Sequence, residues 1–192
     1  AQELAAYDFS GTFWETFTHT LLAGLSGDSQ QQGILAKFVE LEAQDTDKVV
    51  PWYLEAHFGM TPAAKLSQNA DQNPELCGYT LSEAPYALSG QDVDGRKHTI
   101  RLRGKIDRID LEFPPSDHQT ERPKVVIYDY KTGSLPSVQK VKDGQFLQLP
   151  LYILAAQALL GEAYHVIAGG YYHLNSPQNI GKKNLLGCKD DA

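Results

Sequence analysis

The 192-residue chain is poor in the residues that mark specialised protein classes. It has two cysteines, Cys77 and Cys188, and one methionine. Two cysteines cannot frame a disulfide scaffold, and neither lies in a CxxC pair of the kind that signals zinc or redox chemistry. Two free thiols are expected, with a single disulfide as the alternative. No apolar run approaches the ~18–20 residues of a membrane helix, and no basic stretch leads into an apolar one at the N-terminus. A soluble, cytoplasmic protein is therefore expected. There is no internal repeat and no low-complexity tract. Positive charge is also scarce: 17 Lys and Arg face 24 Asp and Glu, a net charge of -7. That excludes a surface coated in basic groups, but not a local basic groove. The chain opens at Ala1 without a methionine, which reads as a processed protein or a fragment of a longer one.

What is present suits one globular domain, since 42% of the residues are hydrophobic and a chain of this length can bury a real core. The scarce cations are concentrated. Arg96, Lys97, Arg101, Arg103, Lys105 and Arg108 fall in one short segment. Such asymmetry fits a focused site for an anionic substrate, or a solvated strand face.

The N-terminal part, residues 1–75, reads helical. Phe13, Phe17, Leu21 and Leu25 recur at helical spacing within Gly11 to Leu25, and Gly27 follows as a stop. A second helix is expected over Ile34 to Glu42 and a third from about Val50, with Pro51 in its first turn. Residues 61–74 read as a surface connection. The period then becomes strand-like. "YTLSEAPYAL" is a strand broken or edged by Pro85, "GQDVDG" a hairpin turn, and "KHTIRLRGKIDRIDLEF" one long strand. In the latter Ile100, Leu102, Gly104 and Ile106 share one face, and Arg101, Arg103, Lys105 and Asp107 the other. The alternation slips after Asp107, which predicts a bulge or the end of the ladder there. After a loop at 114–123, "VVIYDYKTG" forms the next strand. A helix capped by Asp143 is expected from about Gly144 to Leu160, with Phe146, Leu149, Pro150, Ile153, Leu154 and Ala158 as its apolar stripe. Pro150 is tolerable there only if the helix kinks or starts late. "HVIAGGYYHL" makes a further strand, and residues 175–192 read as a polar tail. The fold class predicted is α/β (α+β), a central mixed sheet flanked by helices.

Chemistry gathers at "VVIYDYKTG". Asp129 and Lys131 share one face of this apolar strand, and Tyr128 and Tyr130 the other. Asp129, a second carboxylate from Asp107 and the main-chain oxygen of Tyr130 would make an oxygen-rich pocket of the kind that hard cations such as Mg²⁺ prefer. Lys131 would sit beside it and stabilise charge on a phosphate. A solvated strand face is the competing reading of the same spacing.

"GKIDRID", "YDYKTG" and "QLPLY" in this order resemble the RecB-like branch of the PD-(D/E)xK nuclease superfamily, over roughly Tyr79 to Leu174. The resemblance implies a restriction-endonuclease-like core and a Mg²⁺- or Mn²⁺-dependent DNA exonuclease of recombination and repair, working with a helicase module or subunit. It implies that Asp107, Asp129 and Lys131 are catalytic and that Gln148 and Tyr152, one turn apart, lie beside the substrate strand or the lysine. The superfamily's N-terminal metal-binding histidine has no direct match; Glu15 stands at that place and His19 one turn later, while Glu83 is a further acidic candidate for the metal. Arg101, Arg103, Lys105 and Arg108 are the expected DNA-binding residues. Some relatives carry an iron–sulfur cluster on four cysteines. Two cysteines cannot supply it, so no such cluster is expected unless flanking cysteines are missing. A non-catalytic nucleic-acid-binding or scaffolding domain on the same fold is the alternative function.

Overall fold

A computed structural model describes residues 29–44, 49–60, 79–112 and 122–187. The expected helix over Gly11 to Leu25, with Glu15 and His19, lies outside them, as do most of the two expected surface loops. The first described element is helix α1, Ser29–Gln44. Its Ile34, Phe38 and Leu41 fall at helical spacing and pack on Val126, Tyr128, Tyr172 and Ile180.

The helix expected from Val50 is instead a strand, β1, Val49–Phe58. Val49, Val50, Trp52 and Tyr53 are β-branched or aromatic, side chains that suit a pleated surface. A long antiparallel partner satisfies the backbone, from Val49 opposite Glu112 to Phe58 opposite Gly104. Pro51 is tolerated because the register shifts between Pro51 and Tyr53.

The segment around Pro85 divides into β2, Thr80–Ser82, and β3, Tyr86–Gln91. The expected hairpin turn then leads to β4, Lys97–Leu102. The predicted single long strand is in fact two, because β5 begins anew at Gly104–Glu112. β3 and β4 form a separate two-stranded ribbon, whereas β5 joins the main sheet. Ile100 and Ile106 therefore do not share a face: Ile100 is 58% exposed on the ribbon, and Ile106 is fully buried in the sheet. Gly104 begins β5 because a Cβ there would stand 2.8 Å from the Phe58 ring and 3.1 Å from that of Tyr152.

β6, Lys124–Lys131, and β7, His165–His173, run parallel, and β8, Gly181–Gly187, closes the sheet antiparallel to β7. The polar tail thus contains a strand that weak periodicity concealed. The six-stranded sheet has the order β2-β1-β5-β6-β7-β8, a mixed α/β architecture as expected. Between β6 and β7 lie two helices, α2, Val138–Lys142, and α3, Gln148–Leu160. Asp143 ends α2 rather than opening the long helix, and Leu147 precedes α3 without a side-chain cap. α3 starts late, so Pro150 sits in its first turn, where a missing N–H costs no helical bond. Leu149, Ala155 and Ala156 press into the core against β5, β6 and β7, but Phe146 and Leu154 of the expected stripe are exposed.

Candidate active site

The irregularity foreseen at Asp107 takes another form. β5 runs on to Glu112, and the distortion lies in its neighbour, where Glu55 has φ 54 between the pairs Leu54–Arg108 and Ala56–Ile106. Across this point buried side chains change parity: Ile106 on one side, and Ile109 and Leu111 on the other, all enter the same core. Asp107, half-buried at the pivot, projects beside the end of β6.

There it meets the residues of "YDYKTG". The Tyr130 N–H donates to Asp107 Oδ2 at 2.8 Å. Asp129 is 1% exposed, and Lys131 Nζ lies 2.6 Å from its Oδ2. That contact is ionic but poorly aligned, for Asp129 Oδ2 has no hydrogen-bond partner. The same ammonium donates to Gln148 Oε1 at 3.0 Å, and Gln148 Nε2 donates to the Tyr152 hydroxyl at 3.3 Å. Tyr128 and Tyr130 turn to the opposite face, against α1 and Tyr172. The Asp107 carboxyl is held above the usual carboxylate range, chiefly by burial and then by the charges of Asp129 and Glu55. The Tyr130 N–H and Lys105 pull the other way. Two carboxylates brought close in a partly dry place repel each other, and one of them has an oxygen without a donor. The Lys131 ammonium offsets part of this, and a bound hard cation would offset more.

The model of the PD-(D/E)XK nuclease superfamily matches residues 15–188. The chain belongs to that superfamily. No curated protein matches it. Membership of the PD-(D/E)XK superfamily suggests nuclease activity, nucleic-acid binding and the use of divalent metal ions.

Within this PD-(D/E)XK domain, Asp107, Asp129, Tyr130, Lys131, Gln148 and Tyr152 come together at the ends of β5 and β6 and the start of α3. Among the described residues, no three acidic, histidine or cysteine side chains form a ready-made metal cage. The donor set nevertheless fits a hard cation, because the buried Asp129 oxygen lacks a hydrogen bond. Glu83 is not brought in. It is exposed in the bend after β2, which two strands separate from β6 in the sheet order, and it is not among the charges acting on Asp107.

Arg108 corrects an expectation outright. It is 2% exposed and cannot meet DNA. Its guanidinium grips Asp110 at 2.5 and 2.6 Å and lies 2.7 Å from Glu42 of α1. It also packs over the rings of Tyr128 and Tyr172. Burial alone would lower its pKa, but the Asp110 bond and the negative charges around it hold it above its ordinary value. Arg101 and Arg103 are exposed as expected, whereas Lys105 is ion-paired with Glu55.

Two residues escaped the sequence reading. Glu55 is the one carboxylate in the apolar strand β1, and the strained φ, the Lys105 pair and its effect on Asp107 tie it to the site. The signal was a lone acid among β-formers, hidden by the helix reading. His173 is 6% exposed, pairs with Lys131 in the sheet register and holds the Gly133 carbonyl at 2.8 Å through Nε2. It pins the turn that follows the lysine.

Proposed function

We propose that the chain is a Mg²⁺- or Mn²⁺-dependent deoxyribonuclease of the RecB-like branch, acting as an exonuclease in DNA recombination and repair beside a helicase module or subunit. The observation that carries this reading is the buried Asp129 carboxylate, ion-paired with Lys131 but with no hydrogen bond to its Oδ2, beside Asp107. Asp107, Asp129 and the Tyr130 carbonyl would hold the ion, with Glu55 or the N-terminal Glu15 or His19 completing the set. When bound, the ion polarises the phosphodiester and lowers the pKa of the attacking water.

The protein's own groups do the rest. Lys131 keeps a fixed positive charge where negative charge grows on the phosphate, and such preorganised charge costs no rearrangement during reaction. That ammonium is shared between Asp129 Oδ2 at 2.6 Å and Gln148 Oε1 at 3.0 Å, and the Tyr152 hydroxyl accepts from the Gln148 amide and orients it. Arg101 and Arg103, with Lys105, draw in the phosphate backbone, which makes binding salt-sensitive.

The test is release of nucleotides from end-labelled DNA beside a closed circle. With Mg²⁺ or Mn²⁺ the linear DNA is degraded and the circle survives. Asp129→Ala and Lys131→Ala each lower the rate by about 10²–10³-fold, the scale of losing a preorganised charge. The reading fails if the parent cuts neither single- nor double-stranded DNA, or if both variants match it. Calorimetric titration of Mn²⁺ gives a second readout: binding that Asp107→Ala leaves untouched would favour a nucleic-acid-binding scaffold instead.

A further inference from the structure

The β3–β4 ribbon has no place in the main sheet and holds none of the residues gathered around Asp107, yet β4 leads directly into β5. Its strand register puts Ala87 opposite Arg101, Ser89 opposite Thr99 and Gln91 opposite Lys97. All six side chains are exposed and lie on one face. That face carries two cations, an amide and two hydroxyls joined at 2.9 Å, and no carboxylate, in a chain whose net charge is -7. The acids nearby are engaged. Asp92 accepts from the Asp94 and Arg96 N–H groups and pairs with His98, and Asp94 lies 3.8 Å from Arg96. Lys97 and Arg101 have no ion-pair partner among the described residues.

The ribbon is rooted in the core. Tyr86 and Leu102, at its base, pack against the main core. Gly59, at φ 68, lets the chain pass so close that a Cβ would stand 2.8 Å from Arg103 Cγ and 2.9 Å from Pro85 Cα. β3 also touches α3, the helix that carries Gln148 and Tyr152. A six-residue ribbon reaches about 20 Å at roughly 3.4 Å per residue, the length of about six base pairs. A two-stranded ribbon fits the major groove of B-DNA, about 12 Å wide. Its far end has a shallow hollow lined by Ser89, Gly90, Gln91, Lys97, His98 and Thr99.

We propose that this polar face grips duplex DNA in the major groove, beyond the strand end that enters the site. Lys97 and Arg101 meet phosphates, while Ser89, Thr99 and Gln91 face the groove. The substrate class is then a duplex with an end, rather than a free single strand alone. The identity of the ligand rests on the nuclease reading above, but the gripping surface rests on its own charge and shape.

The test is equilibrium binding of the whole chain to a labelled duplex and to a single strand of equal length. Divalent ions are absent, so nothing is cut, and salt is varied. Exchanging Lys97→Gln and Arg101→Gln together should lower the salt slope on duplex by about 2, at roughly 0.9 per phosphate contact, and weaken binding on the order of tenfold at low salt. The single strand should lose distinctly less. An unchanged slope on duplex, or equal losses on both ligands, overturns the proposal. Because no cleavage is read, a parent that cuts nothing counts against the nuclease reading, and only the binding result decides the ribbon.

Discussion

The stretch "KIDRID" serves two charge clusters on two faces of one strand, and the clusters are built by opposite rules. On one side Arg108, Asp110 and Glu42 are shut away, with side chains 2%, 0% and 3% exposed, and each charge meets an opposite one. On the other, Asp107 lies within β5 beside Asp129 and Lys131 at the end of β6, and Asp129 keeps an oxygen without a hydrogen bond. A buried charge is tolerable only if it is fully paired. The closed cluster obeys this and joins α1 to the sheet. The open cluster meets it only in part, since Asp129 Oδ2 has the Lys131 ammonium at 2.6 Å but no hydrogen bond, and an incompletely satisfied buried charge is where binding and chemistry are to be sought.

If that contrast is right, the largest separation comes from exchanging one residue of each cluster. Asp129→Asn should lower nuclease activity by about 10³-fold without lowering the melting temperature, because it removes an incompletely satisfied buried charge. Arg108→Ala should do the reverse. It leaves two carboxylates buried without their cation, a loss of roughly 3–5 kcal/mol in denaturant unfolding. A low-stability Asp129→Asn, or a fully stable Arg108→Ala, would break the comparison.

Replacing Glu42, Arg108 and Asp110 together by Leu, Met and Leu sharpens it further. Apolar residues of similar volume in place of a buried ion cluster are often neutral or stabilising by about 1–4 kcal/mol. The triple variant should therefore fold and still cut DNA, whereas loss of cleavage in a folded triple variant would move this cluster into the catalytic machinery. Gln148→Ala should have a smaller effect, about tenfold in kcat with little change in KM, since the ammonium loses its 3.0 Å holder but keeps its charge.

The smallest effect is one of pH. Burial, Asp129 and Glu55 raise the Asp107 pKa in the folded protein. A raised carboxyl pKa means that the protonated form is the one that folding favours. The stability linked to it is complete below the unfolded pKa, about 3.9, and is lost as pH rises through the higher folded value. Asp107→Asn keeps the uncharged form at every pH. It should be more stable than the parent at pH 7, with the difference shrinking as the pH falls toward that of the unfolded carboxyl. Equal melting temperatures at both ends of that range would show that Asp107 carries no such strain.

Much of the candidate site's arrangement is legible in the chain alone. Asp129 and Lys131 stand two apart in a strand, so they share a face whatever the tertiary fold, and Gln148 and Tyr152 stand one helical turn apart. The slip of alternation after Asp107 marked a real change of direction, although the distorted residue is Glu55 on the neighbouring strand. Glu55 itself was hidden because "VVPWYLEAHF" carries both a helix-tolerant proline position and strand-forming side chains. The choice between them was made by β5, which lies some fifty residues later. Arg108 was misplaced for a related reason. Its charge suggested solvent, and only a helix from elsewhere in the chain, bringing Glu42, made its burial possible.

The sequence by itself determined the local pairs: the tyrosines and charges on opposite faces of β6, the turn residues of the ribbon, the glutamine and tyrosine on one side of α3. These depend on periods of two and 3.6 residues, which are fixed by backbone geometry. Only the tertiary structure decided which charges are exposed, because solvent access depends on what packs above a strand and not on the strand itself. It set Arg108 in the core and left Asp107 half-buried beside the end of β6, though the two are neighbours in the chain, since successive strand residues point to opposite sides and those sides met different partners.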